Sequence, residues 1–355
     1  GKQNIVPDFE LQFGPIREVR FKTNPDGTPD NGVHQLWSIR GINSDPTIPD
    51  CNIEQPDFAA QEAAGNVAFR IPLQMFGLGL VESIQDREIT GHFADSASMR
   101  AKLGIGGHAN LSGNDSTIMR FGWKAQNKSI TVFAGEAYNV EMGVTSELFP
   151  QTTEENPECN GPNKPLPNDV VRVQPTDLST DGGPVNQSFF NPLHIMPDWM
   201  QFQLLMRFMD APQPDPHPSA SAQRGKVVFQ TLGCALCHTP QMQTAPVMNS
   251  NVLQDRPVNL YSDLLVHHMG PGLADGISQG SAGGDEFRTA LLWGVGQRIF
   301  FMSQGQTSDM VQAIQLHASK GNKSFPDSEA NGVIANFNKA SKTDQQAVVD
   351  FLRSL

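Results

Sequence analysis

At 355 residues the chain is long enough for two domains and a sizeable core. Its net charge of −12, from 25 basic and 37 acidic residues, argues against a nucleic-acid-binding chain and against docking on anionic lipid, both of which need lysine and arginine. Only 17% of residues are charged, 32 glycines and 26 prolines mark a loop-rich chain, and no run approaches 18 apolar residues, so no membrane span is expected.

The chain opens at Gly1 rather than Met, which reads as processing, truncation or an incomplete start. Residues 1–50 read as turns and short strands, with Gly32 to Arg40 alternating as a half-buried strand does. Asn24, Asp26, Thr28 and Asp30 place oxygen side chains at alternate positions, like the opening of a calcium loop. Gln35 stands at the twelfth position where glutamate is usual, and Pro25 and Pro29 intervene, so ordinary β-turns are the competing reading. Helical patterns follow at Asp57–Ala64, Val81–Phe93 and Ser129–Met142, the last with Phe133, Ala137 and Glu141 on one face and Gly143 as its stop. Residues 150–190 lack periodicity and read as an irregular surface excursion. A Met-, Phe- and Leu-rich helix spans Pro197–Met209. Four prolines within 211–218 make a stiff linker and the best boundary between a first domain, 1–210, and a second, 219–355. Beyond it come a helix at 219–232 and three more near 308–320, 328–340 and 343–355.

The motif that carries chemistry is Cys234-Ala235-Leu236-Cys237-His238. C-x-x-C-H is the pattern of covalent c-type haem attachment: two thiols three residues apart reach the two vinyl groups of one porphyrin, and the next histidine supplies the proximal nitrogen. Half a zinc knuckle would want a second ligand pair, and a redox dithiol would want a βαβ setting. Gly225 and Phe229, four apart on the preceding helix, offer a close crossing to the C-terminal helix with Val348, Leu352 and Leu355. For the other face of the iron, His317 leads, sharing a stripe with Met310 and Ile314; Met302, the cluster His267, His268 and Met269, and an open position are the alternatives. Haem c is attached outside the cytoplasm, which makes the chain periplasmic or secreted and makes a Cys51–Cys159 disulfide plausible, against two free thiols. That bridge would close a loop of about 108 residues.

Several stretches resemble the bacterial di-haem cytochrome c peroxidase superfamily, and most closely its di-haem oxidoreductase branch. They are Phe69 to Pro72 with Phe76 to Glu82, Arg120 to Ala125, Glu141 to Thr145, Gly233 to Pro240, Asp263 to Pro271, and Glu286 to Thr289 with Leu292 to Gly294. The resemblance implies that Trp123 lies between two haems as an electron conduit. It implies that Glu141 is the acid/base carboxylate over a peroxidatic haem, and that His317 stands at the distal-ligand position of the C-terminal haem. Two departures matter. The family has two C-x-x-C-H motifs and this sequence has one, and a glutamine that some relatives carry ten residues after the tryptophan is Phe133 here. Calcium binds between the domains of related peroxidases.

The expected fold is mainly α: a cytochrome c-like helical domain at 219–355 and a loop-rich α domain with a few short β-strands. The expected function is haem-dependent oxidoreduction, with electrons from a redox protein or small donor passing through the C-terminal haem toward a peroxidatic site. A non-enzymatic electron carrier or redox-complex subunit, and an O₂-activating relative, are the alternatives.

Overall fold

Several helices in this chain start where a short polar side chain takes up a free backbone N–H. In this computed structural model, which describes residues 4–30, 32–40, 52–144, 146, 148–149, 197–246 and 250–355, five helices open this way. Asp57 caps α1 (Phe58–Ala63), Ser129 caps α5 (Ile130–Met142), Ser219 caps α7 (Ala220–Leu232), Asp309 caps α8 (Met310–Leu316) and Ser341 caps α10 (Lys342–Arg353). The remaining helices are α2 (Leu78–Glu82), α3 (Asp86–Asp95), α4 (Ala97–Leu103), α6 (Asp198–Phe208) and α9 (Asn331–Lys339). Helix α5 stops at Gly143 and α7 at Gly233, both in the left-handed conformation that closes a helix end.

The fold is rich in helix, and its strands are short. The one sheet of three strands among the described residues runs β2-β1-β5, all antiparallel, from β1 (Glu18–Phe21), β2 (Val33–His34) and β5 (Val67–Arg70). Its register sets Glu18 opposite Arg70 and Phe21 opposite Val67. Two-stranded pairs join β3 (Ile39–Arg40) to β4 (Asn52–Ile53), β6 (Met242–Gln243) to β7 (Pro257–Val258), and β8 (Val266–His268) to β9 (Glu286–Arg288).

Two sequence expectations are corrected here. The strand expected over Gly32 to Arg40 is two strands in different sheets, because Val33–His34 pairs with β1 and Ile39–Arg40 with β4. The helix expected over Val81–Phe93 is broken between α2 and α3. At the break the Ser83 hydroxyl donates to Gly79 O, Ser83 O accepts from Ala245 N, and Ile84 bridges to Thr244. That segment spends its backbone groups on the C-terminal half of the chain instead of on a continuous helix.

The hydrophobic interior crosses the Pro-rich segment. Leu78, Val81, Ile89, Phe121 and Ile130 from one side pack with Met242, Leu260, Leu264 and Trp293 from the other. Glu82 joins three helices, accepting from Ile130 N and from Arg207 Nε. A second cluster gathers Phe229, Tyr261, Phe337, Val348, Phe351 and Leu352 around α7 and α10. Their crossing is at Gly225, where a Cβ would fall 1.8 Å from Ala347 O. The 150–190 excursion, Cys51 and Cys159 lie outside the described residues.

Candidate functional site

The C-x-x-C-H motif follows directly on Gly233, whose φ of 100° turns the chain out of α7 into a single 3₁₀ turn over Cys234–Leu236. That positive φ is what requires glycine here, since the Leu103 methyl nearest a Cβ at this position could swing aside. The motif is pinned from the other side: Asp263 N donates to Cys237 O, Ser262 N to Thr239 O, and the His238 ring Nδ1 lies 2.9 Å from Tyr261 O. A ring N–H donated to a carbonyl leaves Nε2 with a free lone pair.

His317 ends α8, and its Nδ1 lies 2.8 Å from Ala313 O, which frees its Nε2 in the same way. The two rings lie edge-on to one another, with centroids 6.4 Å apart and planes at 65°. Burial lowers the pKa of both, and for His238 the nearby His317 adds to this, taking it to about 4. Both imidazoles are therefore neutral near pH 7, the state in which they bind metal. Metal–imidazole bonds of about 2 Å each fit one ion between rings so spaced.

Both rings line a cavity of about 1420 Å³, counting its open mouth, into which Cys234 and Cys237 also project. Its walls are mostly apolar: Phe229, Leu273, Phe287, Val295, Ile314 and Val333 among them. Two thiols, two opposed neutral imidazoles and an apolar chamber suit a flat macrocycle with a central metal. Cys234 fits a tetrahedral zinc site less well, because burial pushes its thiol up to about 12 and zinc takes thiolate. Cys237, Asp263 and His267 stand close enough to share an ion. His267, however, is clamped by carboxylates at both nitrogens, Asp263 at 2.9 Å and Glu329 at 2.6 Å. Burial alone would lower its pKa, but the groups around it, Cys237 and Asp263 foremost, outweigh that and raise it well above the ordinary value. It is a buried cation rather than a free ligand.

The other sequence candidates fall as follows. Met302 and Met269 line the same cavity and pack with Trp123, Leu273 and Phe287. Trp123 forms part of the cavity wall, its Nε1–H donating to Ile71 O at 2.8 Å. Glu141 is not among the lining residues. It stands in the last turn of α5; the residue as a whole is exposed, but its carboxyl is partly enclosed beside Glu18, Arg20 and Glu136, and this burial first and then Glu18 raise it to about 7. The geometry therefore brings Trp123 to the two histidines and leaves Glu141 elsewhere. In the 24–30 loop, Asp26 accepts from both the N–H and the hydroxyl of Thr28, while Asp30 accepts from Gly32 N and pairs with His34. These are Asx-turn hydrogen bonds, beside the backbone turn closed by Gly27 N donating to Asn24 O.

Sequence reasoning did not single out Tyr261, whose carbonyl orients His238, or Arg288 and Arg298 in the cavity wall. Tyr261 carries no sequence signal, since any residue offers a carbonyl. Arg288 lay inside a recognised stretch, but nothing in the sequence places it in the cavity.

Comparison with known proteins gives three results. Residues 209–355 match the family model described as di-haem oxidoreductase, putative peroxidase. No curated protein matches. Two solved structures are similar over part of the chain. One is hydrazine synthase of Kuenenia stuttgartiensis pressurised with xenon, at 16% identity and a TM-score of 0.28, covering 46% of this chain and 56% of that one. The other is a MauG-like protein associated with microbial copper homeostasis, at 12% identity and a TM-score of 0.37, covering 80% and 90%. It is thus the stretch 209–355, carrying Cys234, Cys237, His238 and His317, that matches the di-haem oxidoreductase, putative peroxidase family.

Proposed function

We propose that this chain is a c-type haem oxidoreductase that takes electrons into a haem bound at Cys234 and Cys237 and passes them toward Trp123. The observation that carries the reading is the pair of neutral imidazoles, His238 and His317, 6.4 Å apart in the cavity that holds both thiols. Bound haem supplies a one-electron couple at iron. The residues of the chain do the rest. Cys234 and Cys237 hold the macrocycle covalently, and the Tyr261 and Ala313 carbonyls fix the two ring orientations. The apolar wall keeps water from the metal. Trp123 abuts the same cavity and continues through its backbone to Arg288 N, 2.8 Å from Trp123 O, so it is the conduit leading out of the site. A periplasmic or secreted location follows from covalent haem attachment, and a redox protein or small donor would supply the electrons.

A second reading, electron carriage without peroxide chemistry at this haem, is favoured by the same geometry. His238 and His317 would together hold a metal from both sides and leave no ligand position free, and Glu141 does not line the cavity. Peroxide reduction would then belong to a second haem.

Acid-acetone extraction of protein made with a haem-attachment system tests the first reading. The haem is expected to stay with the protein and to give a low-spin spectrum of two imidazole ligands. Free extraction, or covalent haem persisting in Cys234→Ser/Cys237→Ser, overturns it. A His/Met charge-transfer band in the near infrared would replace His317 by Met302. Added peroxide should leave the low-spin spectrum unchanged; rapid turnover at this haem would exclude the carrier reading.

A further inference from the structure

Two arginines in the cavity wall have no carboxylate partner among the described residues. Four charged groups other than the two axial histidines line it: His267, Glu329, Arg288 and Arg298. His267 is held between two carboxylates, Glu329 and Asp263 behind the wall. The two arginines are not paired in this way. Arg288 is 7% exposed, yet among the described residues its side chain donates only to carbonyls, Nε to Gly122 O at 2.9 Å and NH1 to Thr289 O at 3.1 Å. Arg298 makes a single long contact, to Pro72 O at 3.4 Å. Burial lowers the pKa of both, that of Arg288 to about 10, with Asp263 the charge that partly offsets it for Arg288. Arg288 is thus a buried guanidinium with no carboxylate partner among the described residues, which is costly, while Arg298 beside it is half-buried. The pair also sits together, since both arginines, with Ala290 and Leu291, line the small neighbouring pocket beside Gly122 and Phe121 as well.

We infer that Arg288 and Arg298 form the anion-binding end of the cavity and take the two propionate carboxylates of the haem proposed above. The inference rests on that proposal. Two cations meet two carboxylates, and the guanidinium fork suits a carboxylate. Arg288 is tied by its backbone N–H to Trp123 O and by Nε to Gly122 O. The propionate edge of the macrocycle would therefore face the tryptophan side of the cavity, which places the edge of the cofactor next to the conduit.

The test uses the holoprotein and its Arg288→Gln, Arg298→Gln and Arg288→Lys variants. Haem attachment is read first from the pyridine haemochrome; if the unmodified protein carries no covalent haem, it is the functional reading that fails, and the arginine assignment falls with it. With haem attached, resonance Raman propionate-bending bands should move in each Gln variant. Loss of a cation beside the haem should also shift the oxidised/reduced balance toward oxidised by up to about tenfold, about 59 mV for one electron. Arg288→Lys should keep the balance close to the parent while still moving the band, because it retains charge and loses the fork. If Arg288→Gln does not fold, Arg298→Gln decides alone, since its side chain has little structural role. Unchanged bands and unchanged potential in a folded, haem-loaded Gln variant overturn the assignment.

Discussion

Asp275 stands between two buried cations, 2.7 Å from Arg70 NH2 and 3.2 Å from Lys124 Nζ, with all three side chains at 2% exposure or less. Lys124 also donates to Gly283 O and Glu286 O and lies over the Phe287 ring. Burial takes its pKa down to about 8 although Asp275 pulls the other way. Asp275→Asn leaves the cations uncompensated, and a loss of roughly 3–5 kcal/mol in denaturant unfolding is expected. The loss should shrink as pH rises toward about 8, because without Asp275 the buried Lys124 gives up its proton at a lower pH than it does beside the carboxylate, and should level off above that. Glu141 behaves in the opposite sense. Its folded pKa, about 7, lies above the unfolded value, so its contribution is present at low pH and is lost as pH rises through 7. Because Glu141 is exposed, solvent screens much of this. Glu141→Gln is expected to flatten, slightly, the fall in unfolding free energy between pH 5 and 7; an unchanged slope would show that Glu18 and burial exert no net pressure on it.

At the scale of elements, the crossing of α7 and α10 is set by one missing side chain. Gly225 brings the helix backbones close enough that a Cβ would meet Ala347 O at 1.8 Å and Ala347 C at 2.5 Å, both backbone atoms that cannot swing away. Phe229 then stacks edge-on against Phe351, with centroids 5.4 Å apart, and lies 6.3 Å from the His238 ring. Gly225→Ala must push the helices apart. About 1–3 kcal/mol of destabilisation is expected from overpacking alone, measurable by chemical denaturation. Because Phe229 links the crossing to His238, the same variant should broaden or shift the haem absorption band. A variant of parent stability would mean that α10 does not pack there.

For the whole molecule, the interior shared across 211–218 has a thermodynamic consequence. Met242, Leu260, Leu264 and Trp293 bury against Leu78, Val81 and Phe121, and Arg70 reaches Asp275 from 205 positions away. Neither side keeps a complete core without the other, so both should unfold in one transition. Tryptophan fluorescence, reporting partly on Trp123, and haem absorbance at His238 are expected to give coincident denaturation midpoints. Separated midpoints would show that the Pro-rich segment divides two independently stable units.

The sequence by itself determined what depends on local spacing. The C-x-x-C-H run marks the proposed attachment point, Ser129 and Gly143 bound α5 to within a residue, and Gly225 with Phe229 marks the helix crossing. Each signal lies within a few residues of the structure it causes. The tertiary structure alone decided how distant groups meet. It set His317 opposite His238, enclosed His267 between Asp263 and Glu329, gave Tyr261 its part in orienting the proximal ring, and put Arg288 and Arg298 in the cavity wall. It also split Val81–Phe93 into two helices and Gly32 to Arg40 into two strands, and left Glu141 beside Glu18 and Arg20. In each case the partner is a backbone carbonyl, a carboxylate or an apolar surface supplied from elsewhere in the chain. Local periodicity carries no information about which of many equivalent groups will arrive there.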